Sequence, residues 1–169
     1  MALALTQARF NELVDEHGRA LYRIAYRMVG DAHEAEDVLQ DTFRSAWKSR
    51  QRYEAGRGDR AWLVSILRRR VIDRWRKAPP PKAVGDDLHL FESGVEGDDP
   101  FRDGFSDEVQ HALDQLPVQL KETLLLVVVA EMTHQEVANM LDVPLGTVLS
   151  RVSRARQRLR EYLVEAAKM

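Results

Sequence analysis

Two helical patterns joined by a tight turn occupy residues 133–160. Thr133 and Glu136 have the spacing of a capping box at the start of the first helix. Pro144 suits the first turn of the second helix, where its missing N–H is not needed. The second helix has an apolar stripe at steps of four, three and four, formed by Val148, Val152, Ala155 and Leu159. The pattern predicts a helix-turn-helix.

The other faces of the second helix are basic. No acidic residue occurs between Val143 and Arg160. Such a helix can enter the major groove of DNA, with its early residues at base edges and its arginines on phosphates or guanine. A solvated arginine-rich face is the alternative, so the pattern favours DNA binding without requiring it. The candidate DNA-binding residues are Thr147, Ser150, Arg151, Ser153, Arg154 and Arg156.

Charge lies in blocks along the chain. The 169 residues have a net charge of −2, which by itself argues against a nucleic-acid partner. However, residues 60–78 contain seven basic residues and one acid, Asp73, whereas residues 79–108 contain nine acids and two bases. Basic blocks separated by an acidic connector suggest two binding surfaces joined by a tether.

The first 78 residues predict an all-α unit of four helices. Gly18 separates the first two, and the third begins with Asp31 and Glu34 at capping-box spacing. On the third helix, the face opposite the apolar stripe is polar, and from the pattern alone a solvated face is the simplest explanation. That face includes Glu36, Asp37, Gln40 and Asp41.

The fourth helix is predicted from about Arg60 to Lys77. It mixes Trp62 and Trp75 with arginines. Aromatic rings among arginines are typical of surfaces that stack unpaired bases and track a nucleic-acid backbone. The alternative is that the tryptophans anchor the core.

Consecutive prolines at 79–81 end this first unit, because proline cannot continue a helix. We expect a linker over residues 79–105, which are acidic and without sustained periodicity, and a second helical domain over residues 106–169. No apolar run approaches the length of a membrane span, and the first residues lack the charged region of a signal peptide. With no cysteine in the sequence, disulfides and thiolate metal sites are excluded, and we expect a cytoplasmic protein.

No catalytic constellation is evident, so we expect no enzyme activity and no cofactor. His33 and Glu34 begin a pattern similar to a helical zinc motif, but its last histidine is replaced by Asp37. The sequence also lacks a glycine-rich phosphate loop and a nucleophile motif. We therefore predict no metal site.

Nearly the whole chain resembles the extracytoplasmic-function (ECF, group IV) sigma factors of bacterial RNA polymerase. The first half is similar to sigma region 2 in the stretches ALYRIAYRMVGD, AEDVLQDTFRSAW and AWLVSILRRRVIDRWRK. The second half is similar to region 4 in LPVQLKETLLL, HQEVANMLDVPLGTV and SRVSRARQRL. The resemblance implies two helical domains, residues 1–78 and 106–169, that bind core polymerase and direct promoter recognition and melting.

The resemblance also implies partners and roles. The β′ clamp helices of core polymerase would bind Glu36, Asp37, Leu39, Gln40, Asp41 and Phe43. The minus-ten element, melted and read as flipped bases in a pocket formed by residues 51–59, would contact Trp47, Arg52, Tyr53, Arg60, Trp62, Arg68, Arg69, Arg74, Trp75 and Arg76. The second domain would bind the β flap and read the minus-35 duplex, and the linker would approach the RNA exit path. An anti-sigma factor, often membrane-anchored in this family, would control the chain.

Three positions depart from the family pattern. Arg69 stands where asparagine is common, Leu149 where lysine or arginine is common, and Asp142 where the turn usually has glycine. The promoter sequence is therefore the property that can least be inferred for this chain from the family pattern. Two other functions stay open: an autonomous helix-turn-helix regulator, and a sigma mimic that sequesters an anti-sigma factor.

Overall fold

The computed structural model describes residues 4–55, 58–77 and 107–168. In these ranges the chain forms seven α-helices and one short 3-10 turn, Arg50–Arg52, without any strand. The helices are α1 Gln7–Val29, α2 Ala32–Lys48, α3 Asp59–Lys77, α4 Asp107–Gln115, α5 Val118–Val128, α6 His134–Leu141 and α7 Leu145–Ala167. The predicted linker, residues 79–105, lies outside the described residues. No described helix is long and apolar enough to cross a membrane.

Helices α1, α2 and α3 form the first half. The hydroxyl of Thr6 accepts a hydrogen bond from the amide of Arg9, which starts α1, and Gly30 ends it with a left-handed φ of 75°. The carboxylate of Asp31 then accepts from the amide of Glu34 and starts α2. These adjacent caps turn the chain sharply, so α2 packs back on α1.

The predicted helix break at Gly18 is wrong, because α1 is continuous from Gln7 to Val29. A Cβ at Gly18 would meet nothing within 4 Å, so the glycine serves no close approach. An interior glycine destabilises a helix by only about 1 kcal/mol relative to alanine. Burial of Leu13, Leu21 and Ile24 on both sides of Gly18 outweighs that cost.

Helices α4 to α7 form the second half around α5, which is buried along most of its length. The capping box predicted for α6 is present, with Thr133 and Glu136 each bonding the other's amide. Asp142 ends α6 at a left-handed φ of 54°, and the turn leads through Pro144 into α7. Val148, Val152 and Ala155 bury the inner side of α7.

The two halves pack against each other where α1 ends. Lys121 of α5 donates to the carbonyl of Met28 (2.8 Å) and to a carboxylate oxygen of Asp114 (2.9 Å). Its side chain is only 9% exposed. The last carbonyls of a helix have no partner within that helix, and a lysine placed there satisfies one of them and interacts favourably with the helix dipole. One half of the molecule therefore caps a helix of the other.

A second bridge lies beside the first. Gln110 of α4 accepts a hydrogen bond from the guanidinium of Arg27 (2.7 Å), and its amide nitrogen lies 3.4 Å from the carbonyl of Arg27 and 3.1 Å from Asp114. Arg27 and Gln110 are both buried, so their polar groups need partners within the protein, and each residue supplies one to the other. The apolar core is continuous across the junction. The described halves thus form one compact body.

Candidate nucleic-acid interface

The outward face of α2 is acidic and accessible. Glu36, Asp37 and Gln40 are exposed, and the Asp41 side chain is 48% exposed. These four residues lie opposite the buried stripe of Ala35, Val38, Thr42 and Ala46. Of the apolar residues predicted to join them, Leu39 and Phe43 are partly buried against the core. The surface available to a partner is therefore mainly carboxylates and an amide.

A polar cluster around Asp59 holds the described part of the segment between α2 and α3. Residues 56–57 of the predicted pocket lie outside the described residues. The hydroxyl of Tyr53 donates to one carboxylate oxygen of Asp59 (2.7 Å), and the guanidinium of Arg9 donates to the other (2.8 Å). Tyr53 is 5% exposed, and this burial, with the Asp59 hydrogen bond, raises the pKa of its hydroxyl. Asp59 thus ties the start of α3 to α1 and to the loop. Arg52 lies next to this cluster and is exposed.

Aromatic rings also pack around the segment that follows α2. Trp47 packs on Phe10 with ring centroids 5.2 Å apart, and the guanidinium of Arg50 lies 4.4 Å from the Trp47 ring centroid. Trp62 meets Tyr53 edge-on at 5.3 Å. In this conformation Trp47, Tyr53 and Trp62 brace the loop, and each has a protein neighbour on at least one side.

One face of α3 carries Trp62, Arg69 and Arg76. They are spaced by seven residues, close to two helical turns, so they line up along the helix. Arg69 and Arg76 are exposed, whereas Trp75 is partly buried against the core. Arg74 lies 3.5 Å from the carboxylate of Asp37, so the predicted DNA surface adjoins the acidic face of α2.

Two arginines predicted to bind the minus-ten element contact the second half in this structure. Arg60 pairs with Glu131 at 3.0 Å, and Arg68 forms a close ion pair with Glu122 of α5. Glu131 is largely exposed, but the Glu122 side chain is only 9% exposed. In this arrangement the second half occupies part of the surface that α3 would offer to DNA.

Nothing local in the sequence reveals these partners. Glu122 lies 54 residues from Arg68, and Glu131 lies 71 residues from Arg60. Lys121 and Glu122 lie in a stretch, residues 120–130, that is otherwise mostly apolar. An acid and a base next to each other in an apolar stretch were the available signal, because charges that become buried need partners.

Helix α7 presents the third candidate surface. The turn before it is fixed by hydrogen bonds from the amide of Val143 to the carbonyl of Ala138 (3.1 Å) and from Thr147 to Pro144 (3.0 Å). Thr147 and Arg151 are half-buried at the edge of the helix. The exposed residues of the predicted set are Ser150, Ser153, Arg154 and Arg156. All six lie on one helix, clear of the buried stripe.

The predicted residues therefore form three surfaces: the α2 face, the loop with α3, and α7. Among the described residues, no three histidine, aspartate or glutamate side chains cluster as metal ligands would. Two basic helices and one acidic face on a single helical body are what a protein that joins DNA to another protein needs.

Comparison with known proteins agrees with this class. The family model of sigma-70 region 2 matches residues 13–79, and that of sigma-70 region 4 matches residues 106–159. The ECF RNA polymerase sigma factor SigL of Mycobacterium tuberculosis (strain H37Rv) is 34% identical over 174 residues, covering 97% of this chain and 94% of SigL. The chain belongs to the ECF sigma factors of RNA polymerase.

Two further relatives show the extent of the likeness. The ECF sigma factor SigE of Mycolicibacterium smegmatis is 34% identical over 164 residues, but the match covers 92% of this chain and only 62% of SigE. Among solved structures, the sigma factor RpoE of Bartonella quintana, in complex with the anti-sigma factor NepR, matches with a TM-score of 0.75 and 28% identity. That match covers 91% of this chain and 96% of RpoE.

Proposed function

We propose that the chain binds core RNA polymerase and directs it to promoters, which it recognises at two elements and opens at one. The observation that carries this proposal is the presence of two basic helices, α3 and α7, in different halves of one chain, with an acidic face on α2 beside the first. A regulator that only binds a duplex would need α7 alone. The chain performs no covalent chemistry of its own and acts in the cytoplasm.

The α2 face contacts core polymerase at the clamp helices of the β′ subunit. Its exposed groups are Glu36, Asp37, Gln40 and Asp41, and their side chains point away from the core. Carboxylates on a rigid helix bind guanidinium and ammonium groups with little loss of conformational freedom. Leu39 and Phe43 contribute apolar edges next to these groups.

The loop before α3 and the exposed face of α3 take the non-template strand of the minus-ten element. Base flipping costs a few kcal/mol per base, so a pocket and stacking partners must offset it. The described residues 50–55 supply a pocket wall, because Asp59 holds Tyr53 and the Trp47 ring holds Arg50. The exposed guanidinium groups of Arg52, Arg69 and Arg76 supply phosphate contacts, and Arg74, Arg60 and Arg68 join them when their present partners are released.

Helix α7 enters the major groove of the minus-35 element while the second half contacts the β flap. Its first turns face outward, and arginines lie on both sides of the outward face. Binding of α7 to the minus-35 duplex fixes the position of the chain relative to the minus-ten element that is melted. One half anchors and the other opens the DNA.

An anti-sigma factor is proposed as the regulator. Support comes from the solved relative, RpoE, which was captured with the anti-sigma factor NepR and aligns with this chain over both halves. The compact arrangement gives such a partner a single body to bind, with α3 already partly covered by the second half.

The test is run-off transcription with purified chain and core bacterial polymerase on a pooled promoter library. The wild type is expected to start transcripts at defined sites. A triple variant, Asp37→Ala/Gln40→Ala/Asp41→Ala, should lose polymerase binding and transcription, because it removes three exposed groups of the α2 face.

A matched control is available on α1. The variant Asn11→Ala/Asp15→Ala/Glu16→Ala also removes two carboxylates and one amide, from exposed positions outside the three surfaces. It should transcribe like the wild type. Tight duplex binding without polymerase would favour an autonomous regulator, and polymerase or anti-sigma binding without any transcript would favour a sigma mimic.

A further inference from the structure

The first turns of α7 carry two exposed leucines. Leu145 is 41% exposed and Leu149 is 49% exposed, and they lie one turn apart. Single exposed leucines are ordinary on soluble proteins. These two, however, stand at the end of the helix that the proposed function places against base edges, which is where side chains determine sequence preference.

The geometry of α7 places Leu149 beside the outward face of the helix, with Leu145 one turn earlier and closer to the buried stripe. At about 100° per residue, Gly146, Ser150 and Ser153 lie opposite the buried stripe, and Leu149 borders them on one side. A Cβ at Gly146 would meet nothing within 4 Å, so the outward ridge is low and open. Because the first turns of this ridge carry only small residues, this end of the helix can approach the bases closely. Leu149, which borders the ridge, is then within reach of the base edges.

Charge around the leucines favours DNA over a protein as the occupant. Arg154 and Arg158 lie on one side of the outward ridge, and Arg156 and Arg160 lie on the other. Arginines on both sides of a helix match the two phosphate walls of a major groove. An apolar protein surface would leave these four charges without complementary groups.

We infer that Leu149, with Leu145 beside it, selects thymine in the minus-35 element by packing against the 5-methyl group. This rests on the proposed function. In the major groove, the thymine methyl is the apolar group by which a base pair can be recognised, and aliphatic side chains pack against it. Leu149 cannot donate a hydrogen bond to a base or neutralise a phosphate, so apolar contact is the interaction it offers.

The experiment replaces thymine by uracil, which removes only the methyl group. The holoenzyme, formed from the full chain and core polymerase, is bound to a promoter identified by its transcription start. Each thymine of the minus-35 element is replaced singly by deoxyuridine, and half-saturating concentrations are measured. At one or two positions the wild type should bind about three- to fourfold more weakly to uracil, the factor expected for one buried methyl.

Variants of α7 assign the effect to the side chain. Leu149→Ala should bind thymine and uracil equally at those positions, and Leu149→Met should retain most of the discrimination because methionine fills a similar volume. Val164→Ala is the matched control: Val164 is also exposed, at 55%, but lies near the other end of α7. It should discriminate as the wild type does.

Each contrary outcome has a distinct meaning. Equal binding of thymine and uracil at every position, or a minus-35 element without thymine, would overturn the inference while defined transcription starts leave the proposed function intact. Weaker binding of Leu149→Ala to core polymerase in the absence of DNA would overturn it too, by showing that the leucines face a protein. If no polymerase-dependent start is found, the proposed function fails and the inference fails with it.

Discussion

Replacing Lys121 by methionine tests how strongly the two halves hold each other. The substitution keeps the length of the side chain and removes two hydrogen bonds, of 2.8 Å to the Met28 carbonyl and 2.9 Å to Asp114. Lys121 is 9% exposed, so the Met28 carbonyl loses a partner that water does not readily replace, whereas Asp114, at 38%, is partly rehydrated. Hydrogen bonds that involve a charged group contribute about 1.5–3 kcal/mol.

We therefore expect Lys121→Met to weaken the junction by about 2 kcal/mol. A free-energy change of that size alters the equilibrium between joined and separated halves about 30-fold. A separated form populated at about 1% would rise to roughly a fifth of the molecules. The melting temperature should fall by about 4–8 °C, the shift that about 2 kcal/mol produces in a domain of this size.

The assay uses the absence of native cysteine. Cysteines introduced at exposed positions of the two halves, Lys48→Cys on α2 and Gln135→Cys on α6, carry a donor and an acceptor dye. Energy transfer should decrease in Lys121→Met. The control, Lys168→Met, changes an exposed lysine at the end of α7 and should leave transfer and melting unchanged. If the two variants give equal transfer and equal melting temperatures, the attribution of the junction to Lys121 is refuted.

Three further predictions concern local structure. Asp142→Val should lower the free energy of unfolding by about 1–3 kcal/mol, because a β-branched residue is strained at a φ of 54°. Asp142→Gly should lower it far less. Equal losses for the two variants in urea unfolding would contradict this prediction. Thr133→Ala should cost about 1 kcal/mol by removing the α6 cap, whereas Thr133→Ser should retain stability in the same assay. Burial raises the pKa of Tyr53 above its ordinary 10.0, so the unfolded chain releases the hydroxyl proton at a lower pH than the folded chain does. The free energy of unfolding should therefore fall as pH rises above about 10. In urea titrations at alkaline pH, Tyr53→Phe should show a smaller fall.

The parts of the fold that sequence could predict are those encoded within a few residues. Thr133 and Glu136 formed the expected capping box, and the stripe through Val148 and Val152 was buried. Each of these features depends on neighbours one helical turn away. The spacing of nearby residues was therefore enough to predict it.

Gly18 shows where local signals fail. A glycine disfavours a helix by about 1 kcal/mol, which is a real but small local preference. Whether the helix breaks depends on the apolar surface buried on either side, and that surface is created by α2 and α3. The sequence of α1 shows the helix-destabilising glycine, but it does not show the burial of the apolar residues on either side that outweighs it.

The roles of the arginines in α3 show the same limit at longer range. Composition identified a basic helix with tryptophans, but Arg68 and Arg69 are adjacent in sequence and differ in the structure. Arg68 pairs with buried Glu122, and Arg69 is exposed. Which arginine faces the second half depends on how the two halves dock. The spacing of residues within α3 cannot predict that docking.

In the proposed function, the junction between the halves sets a free-energy cost on promoter binding by α3. For DNA to contact Arg60, only an exposed pair with Glu131 must break, and such pairs contribute at most about 1 kcal/mol. Freeing Arg68 costs more, because Glu122 would be left as a charge that is mostly buried unless the halves also separate. Binding through Arg68 and opening of the junction are therefore coupled, and the affinity of the free chain for single-stranded DNA is reduced by the fraction of molecules that are open. A partner that favours the open form, such as a polymerase that holds the halves apart, increases promoter affinity without contacting α3.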